Sequence, residues 1–242
     1  WVKDITCWSS PCIEDDGISL LIEKLKIYKN IGMPMGIESQ LRMPLSHILL
    51  IMKKLNTEFI DASPLIQQVR LIKSPAEIEK IRTACQITSK AFEYLSERVM
   101  DLTLYYEPNK ITQRQIIMEL HKDIIERGAD KVPFIVGNCD YNGSRSIIDG
   151  PRDLEVLSGN IMIIDVGCVY DEYYCDFNRN FAINYSNPYI KKANMDLWYA
   201  TESALAITRP GITFGDLWKA QADYLISQGY EAKFFETVRL GH

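Results

Sequence analysis

Two carboxylates, Asp165 and Asp176, stand 11 residues apart in the stretch 161–181, which reads IMIIDVGCVYDEYYCDFNRNF. Asp165 follows Ile161, Met162, Ile163 and Ile164 without a polar break. A carboxylate after such a run is predicted to be buried, and a buried charge needs a partner. The stretch reads as a β-hairpin, an apolar run and an aromatic-rich run separated at Tyr170-Asp171-Glu172. If the chain reverses between Tyr170 and Asp171, residues whose numbers sum to 341 face one another, as 165 and 176 do. Side chains so paired are rooted roughly 5 Å apart, and like charges there oppose sheet formation. A divalent cation offsets the repulsion most simply, because paired carboxylates offer hard oxygen ligands. The same spacing is also met if Asp165 ends a strand and Asp176 faces water, and one bulge would put the pair out of register.

The elements around the hairpin alternate. Residues 1–70 predict a small α/β unit: a helix near Gly17–Tyr28, a strand near Met35–Glu38, a helix near Pro44–Leu55 capped by Asn56, and a strand near Glu58–Asp61. His47 reads as a helix-surface or partly buried residue. A boundary follows at Val69–Ser74. Ser74-Pro75-Ala76-Glu77 is a capping box that predicts a long helix with an apolar stripe of Ile78, Ile81, Cys85, Phe92 and Leu95. Thr112 caps a second helix, closed at Gly128, with His121 on it as a structural residue. Val132–Val136 reads as a strand, Asn138–Ser146 as a polar loop, and Asp149–Asp153 and Leu157–Asn160 as turns. Helices are predicted over Pro188–Thr208, with apolar Leu197, Ala200, Ala204 and Ile207, and over Phe214–Ser227; Phe234–Leu240 reads as extended. Helices alternating with antiparallel strands predict an α+β sheet domain.

A net charge of −5 and no Lys/Arg block give no electrostatic reason to expect nucleic acid or an anionic membrane. No apolar run approaches the roughly 18 residues of a membrane-spanning helix, so a soluble protein is expected. The six cysteines form no CxxC pair and read as buried free thiols of a reducing, cytoplasmic compartment. In the same register Cys168 and Cys175 are diagonal, and a disulfide between them is not expected. Trp1 at the start and Leu240-Gly241-His242 at the end read as the limits of a fragment.

With hairpin, capping-box helix and terminal Gly-His in view, the chain resembles the creatinase/aminopeptidase family, the pita-bread metallohydrolases that include Xaa-Pro aminopeptidases and prolidase. The likeness rests on Ile164-Asp165-Val166-Gly167 and on the run from Tyr174 through Asp176-Phe177-Asn178-Arg179-Asn180-Phe181. They are similar to the family's Asp-x-Gly and Asp-x-Thr-Arg-x-Phe, with the acids equally spaced. Val69–Ala84 resembles the entry into the catalytic domain. The resemblance implies an α+β fold: a pita-bread catalytic domain over 71–242, truncated at its C-terminus, after part of a smaller α/β N-terminal domain over 1–70.

The resemblance also implies a site. Asp165, Asp176 and His242 match metal ligands for two divalent ions, manganese first, with cobalt, zinc or iron as alternatives. The remaining ligands, two glutamates, and with them the catalytic base, would lie beyond residue 242, so a fragment of this extent is expected to be inactive. No histidine lies between His121 and His242, where the family's peptidases place one against the scissile peptide; Asp149 or Arg152 is taken as the substrate-contacting group of that region. Asn178 stands where threonine is common, and an amide keeps a similar hydrogen bond. The implied activity is metal-dependent hydrolysis of a short peptide or small amide of the Xaa-Pro type by a homodimer. A dimethylsulfoniopropionate lyase or creatinase-like hydrolase of the same fold, and a binding module without catalysis, are the rival expectations.

Overall fold

The computed structural model describes residues 3–9, 15, 17–37, 39–105, 111–140, 149–184 and 187–235, the side chains of 99–105 and 234–235 excepted. The chain divides into two compact units, Trp1–Ala76 and Glu77–His242. In the first, helices α1 (Ile18–Leu25), α2 (Leu45–Lys54) and α3 (Ser63–Leu71) accompany strands β1 (Asn30–Met33) and β2 (Glu58–Asp61), which pair in parallel. Ile18, Ile51 and Leu55 form its core.

Strand β1 lies earlier than the predicted Met35–Glu38. The amides of Met35 and Gly36 instead donate to the Ser63 hydroxyl at 3.1 and 2.8 Å, and Met35 also donates to the Asp61 carboxylate at 3.1 Å, so a side-chain-stapled loop replaces the ladder. Leu55 rather than Asn56 closes α2. Helix α3 went unpredicted because its apolar residues make no buried stripe: Leu65, Val69 and Leu71 are all exposed.

The second unit opens on α4 (Pro75–Tyr105), followed by α5 (Gln113–Glu126), strands β3 (Lys131–Asp140), β4 (Ile161–Tyr170), β5 (Tyr173–Tyr174) and β6 (Phe177–Ala182), and helices α6 (Pro188–Ile207), α7 (Phe214–Ser227) and α8 (Ala232–Phe235). Helix α5 begins as its sequence predicts: the Thr112 hydroxyl accepts from the Gln115 amide and the Gln115 side chain accepts in return. Gly128, at φ 101°, terminates it in the left-handed conformation that glycine adopts without strain.

All four strands pair antiparallel, with β4 central, β3 on one side and β5 then β6 along the other. Helices α4 and α5 cover one face. Ala84, Ile87, Ala91, Phe92 and Leu95 of α4 and Ile116, Ile117, Leu120 and Ile124 of α5 pack with Met162, Ile164, Val166 and Cys168. The stripe on α4 thus differs from expectation, since Ile78 is exposed while fully buried Ala84 and Ala91 let the helix backbone approach the sheet. On α6, Ala200 packs against Ala222 and Leu225 of α7, and Ala204 is buried, whereas Leu197 is exposed. Among the described residues no helix is long and apolar enough to cross a membrane. Residues 234 and 235, predicted as extended, belong to α8.

Candidate metal centre

The hairpin turn decides what the two acids can do. Tyr170 pairs with Tyr173, so the reversal falls between Asp171 and Glu172, one residue later than the sequence suggests. Both turn residues take positive φ, 47° and 67°, a mirror-image turn that ordinarily selects glycine or asparagine. Tertiary contacts hold it: the Asp171 amide donates to the Asp130 carboxylate at 2.6 Å, and the Asp171 carboxylate pairs with Lys80 at 2.7 Å. The consequence corrects the predicted register. Asp165 faces Asn178, not Asp176. Asp176, between Tyr174 (opposite Val169) and Phe177 (opposite Val166), comes opposite Gly167.

The acids are therefore diagonal neighbours on one face. Such side chains are rooted about 7–8 Å apart, farther than direct partners but within reach of one or two bridging cations. The same alternation carries Val136, Asn138 and Asp140 of β3 and Asn178 and Asn180 of β6 to this face. Asp176, Asn178, Asn180 and Asp140 are exposed, and Asp165 and Asn138 half-buried, so the part of the face around the acids is open and polar where the opposite face is packed under α4 and α5.

Beside the acids, a Cβ on Gly167 would meet the Phe134 ring at 2.3 Å and the Cys175 carbonyl at 2.8 Å. Glycine there leaves room for the Phe134 ring against the strand beside the acids. The donors fit a hard divalent ion: carboxylate oxygens with amide oxygens in support. Among the described residues no cluster of three His, Cys, Asp or Glu side chains forms, and the expected third ligand, His242, lies outside them.

Asp149 and Arg152 form an ion pair with each other. The Asp149 carboxylate accepts from the Asn138 side chain at 3.1 Å, and its carbonyl accepts from the Gly137 amide at 2.8 Å. The Arg152 backbone is tied to the start of α5, its amide donating to Gln113 at 3.2 Å and its carbonyl accepting from the Arg114 amide at 2.9 Å. The pair thus stands at the β3 margin of the polar face. Asn138–Asp140, read from sequence as loop, are strand residues whose polarity reflects the open face; the rest of that predicted loop, 141–148, lies outside the described residues. Register also brings out Asn180, Asp140 and the Phe134–Gly167 contact, none of which sequence spacing marked. Strict alternation counted outward from Asp165 was the signal that could have found them.

Directly beneath, on the helix-covered face, the same register makes Cys168 and Cys175 direct partners rather than diagonal ones. The Cys175 amide donates to the Cys168 carbonyl at 3.0 Å, and the two sulfurs are 3.5 Å apart. The buried Thr88 hydroxyl lies 3.2 Å from one sulfur and 3.1 Å from the other. The hydrogen bond between the thiols, reinforced by burial, pushes Cys168 above the ordinary thiol range and, against burial, holds Cys175 below it.

Residues 79–242 match the model of metallopeptidase family M24. Among curated proteins, an Xaa-Pro dipeptidase of Pyrococcus horikoshii is 28% identical over 86% of this chain and 56% of its own length. An uncharacterized peptidase of Staphylococcus aureus is 26% identical over 76% of this chain and 50% of its own. The chain thus spans about half the length of these relatives. Among solved structures, an X-Pro aminopeptidase from Thermotoga maritima superposes with a TM-score of 0.76 at 24% identity, covering 89% of this chain and 58% of that one. The prolidase from Pyrococcus horikoshii superposes at 0.74 and 23%, with the same coverage. The fold is the pita-bread fold of these enzymes, and the chain belongs to metallopeptidase family M24.

Proposed function

We propose that the chain is the portion of a metal-dependent Xaa-Pro peptidase that carries the first two acidic ligands of its metal centre. The observation that carries this reading is the placement of Asp165 and Asp176 as diagonal neighbours in a polar patch on the face of the sheet turned away from α4 and α5. The family match and the Xaa-Pro dipeptidase relative support it.

Asp165 and Asp176 would hold the divalent ions, with His242 as a further ligand; carboxylate and imidazole together suit manganese, with cobalt, zinc or iron as alternatives. When bound, such ions supply a nucleophilic water at neutral pH and polarise the scissile carbonyl. The chain's own residues do the rest of the positioning. Asn178, directly opposite Asp165, is the residue whose place in the register would let it orient that carboxylate from across the strand pair. The Phe134 ring, packed against Gly167, gives the flank of the site an apolar surface. Asp149 and Arg152, at the β3 margin, are the groups this chain offers to the polar ends of a short peptide.

The test uses the full-length protein loaded with manganese and a panel of Xaa-Pro dipeptides. Turnover that Asp176→Ala lowers by at least a hundredfold supports the reading. Turnover of dimethylsulfoniopropionate with no dipeptide hydrolysis would replace it with the lyase.

A further inference from the structure

The thiol pair under the acidic face is not needed by the hydrolysis just described, yet it is built with care. Cys168 is fully buried inside the central strand, and Cys175 keeps 6% of its surface. The Cys175 amide donates to the Cys168 carbonyl at 3.0 Å, and residues so opposed in an antiparallel pair have Cα atoms about 5.5 Å apart. That separation lies within the range of roughly 4.4–6.8 Å that a disulfide spans. From 3.5 Å, the sulfurs need to draw together by about 1.5 Å to bond. The Thr88 hydroxyl lies within hydrogen-bonding distance of both sulfurs and ties them to α4 at the same point.

Where the movement would fall follows from the ladder. Cys168 lies within an unbroken strand of 10 residues, whereas Cys175 lies in the gap between β5, ending at Tyr174, and β6, starting at Phe177. The more weakly held partner moves. Asp176 shares a peptide bond with it and occupies the rest of that gap.

We propose that Cys168 and Cys175 are a dithiol that a peroxide closes to a cross-strand disulfide, and that closure displaces Asp176 and weakens divalent-ion binding on the opposite face. The chemistry balances. The Cys175 sulfur attacks one peroxide oxygen, the O–O bond breaks, and the thiol proton leaves with the departing hydroxide as water, giving a sulfenic acid. The Cys168 sulfur then attacks that sulfur, the S–O bond breaks, and hydroxide takes the Cys168 proton as a second water. Two electrons pass from the sulfur pair to the peroxide, and a dithiol reductant reverses the step.

The inference rests on the metal-site reading, so the experiment separates the two. The full-length protein is reduced, or treated with hydrogen peroxide and then catalase, and each sample is split between non-reducing peptide mapping by mass spectrometry and a manganese titration followed by electron paramagnetic resonance. The expected result is a Cys168–Cys175 linked peptide only after peroxide, manganese affinity at least tenfold weaker in that sample, and recovery of both after dithiothreitol. In C85S the link still forms, and in C175S peroxide leaves manganese affinity unchanged. Peroxide-treated protein with both cysteines free, over-oxidised singly, or linked to Cys85 instead overturns the inference. Closure with unchanged affinity overturns the coupling to Asp176. A reduced protein that takes up no manganese overturns the site reading and the coupling with it, while the mapping still decides whether the dithiol closes.

Discussion

The two faces of the sheet in the second unit are made by the same strands and share every backbone hydrogen bond, yet only one of them carries a polar patch among the described residues. Toward α4 and α5 the central strand presents Met162, Ile164, Val166 and Cys168, all at 1% exposure or less. Toward the other side it presents Ile161, Ile163, Asp165, Gly167 and Val169, with Asn138, Asp140, Asp176, Asn178 and Asn180 around the middle of the strand. The difference teaches that chemistry is confined to the middle of one face: the even positions of β4 hold the fold, while on the odd side Asp165 and Gly167 lie between the buried apolar Ile161 and Val169. A protein that needed only stability would have little reason to line acids along one side of a core sheet.

Substitutions on the sealed face should produce the largest losses of stability. Ile164→Ala, at a fully buried position, is expected to cost about 2–5 kcal/mol in chemical denaturation. Gly137→Ala belongs with it, because a Cβ there would sit 2.2 Å from the Ile163 carbonyl, whereas Gly150→Ala, with nothing within 4 Å, should be nearly silent. A pH effect comes next. Burial pushes the Cys139 thiol from 9.0 up to about 11. Below pH 9 folded and unfolded chains both keep that proton. As pH rises from there toward about 11, only the unfolded chain releases it, so stability falls. The loss is on the order of 2 kcal/mol at most, and Cys139→Ala should remove it from a pH series of unfolding curves.

Smaller still is the cap of α5: Thr112→Ala should cost about 1 kcal/mol by the same measurement. At the bottom of the scale stands the open face. Asn180→Ala, exposed and on the edge strand, should change metal-free stability by less than about 0.5 kcal/mol. A loss there as large as that of Ile164→Ala would erase the division between the faces.

Much of this was legible in the chain itself, and the parts that were not share a cause. Local signals carried Thr112, Gly128, the strand Glu58–Asp61 and the helix Phe214–Ser227, because caps, stops and short β-branched or aromatic runs act over a few residues. The family resemblance was visible in two short motifs around Asp165 and Asp176. Register was not. Asp171 and Glu172 carry no glycine signal for a mirror-image turn, and the contacts that impose it come from Asp130 and Lys80, some forty and ninety residues earlier. A reversal misplaced by one residue exchanges a direct pair of acids for a diagonal one and a diagonal pair of cysteines for a direct one. The first change alters the distance to be bridged, and the second brings two thiols within reach of each other. The strand near Met35 failed similarly, since Ser63 and Asp61 capture the amides that a ladder would have used.

The central claim is that Asp165 and Asp176 act together on a divalent ion. Manganese titration of the full-length protein, wild type beside Asp165→Asn and Asp176→Asn, tests it most directly. The account predicts saturable binding in the wild type and affinity weakened at least tenfold by either substitution, with both variants still cooperatively folded. Saturable binding that survives both substitutions unchanged, or a folded wild type that takes up no manganese, would contradict it.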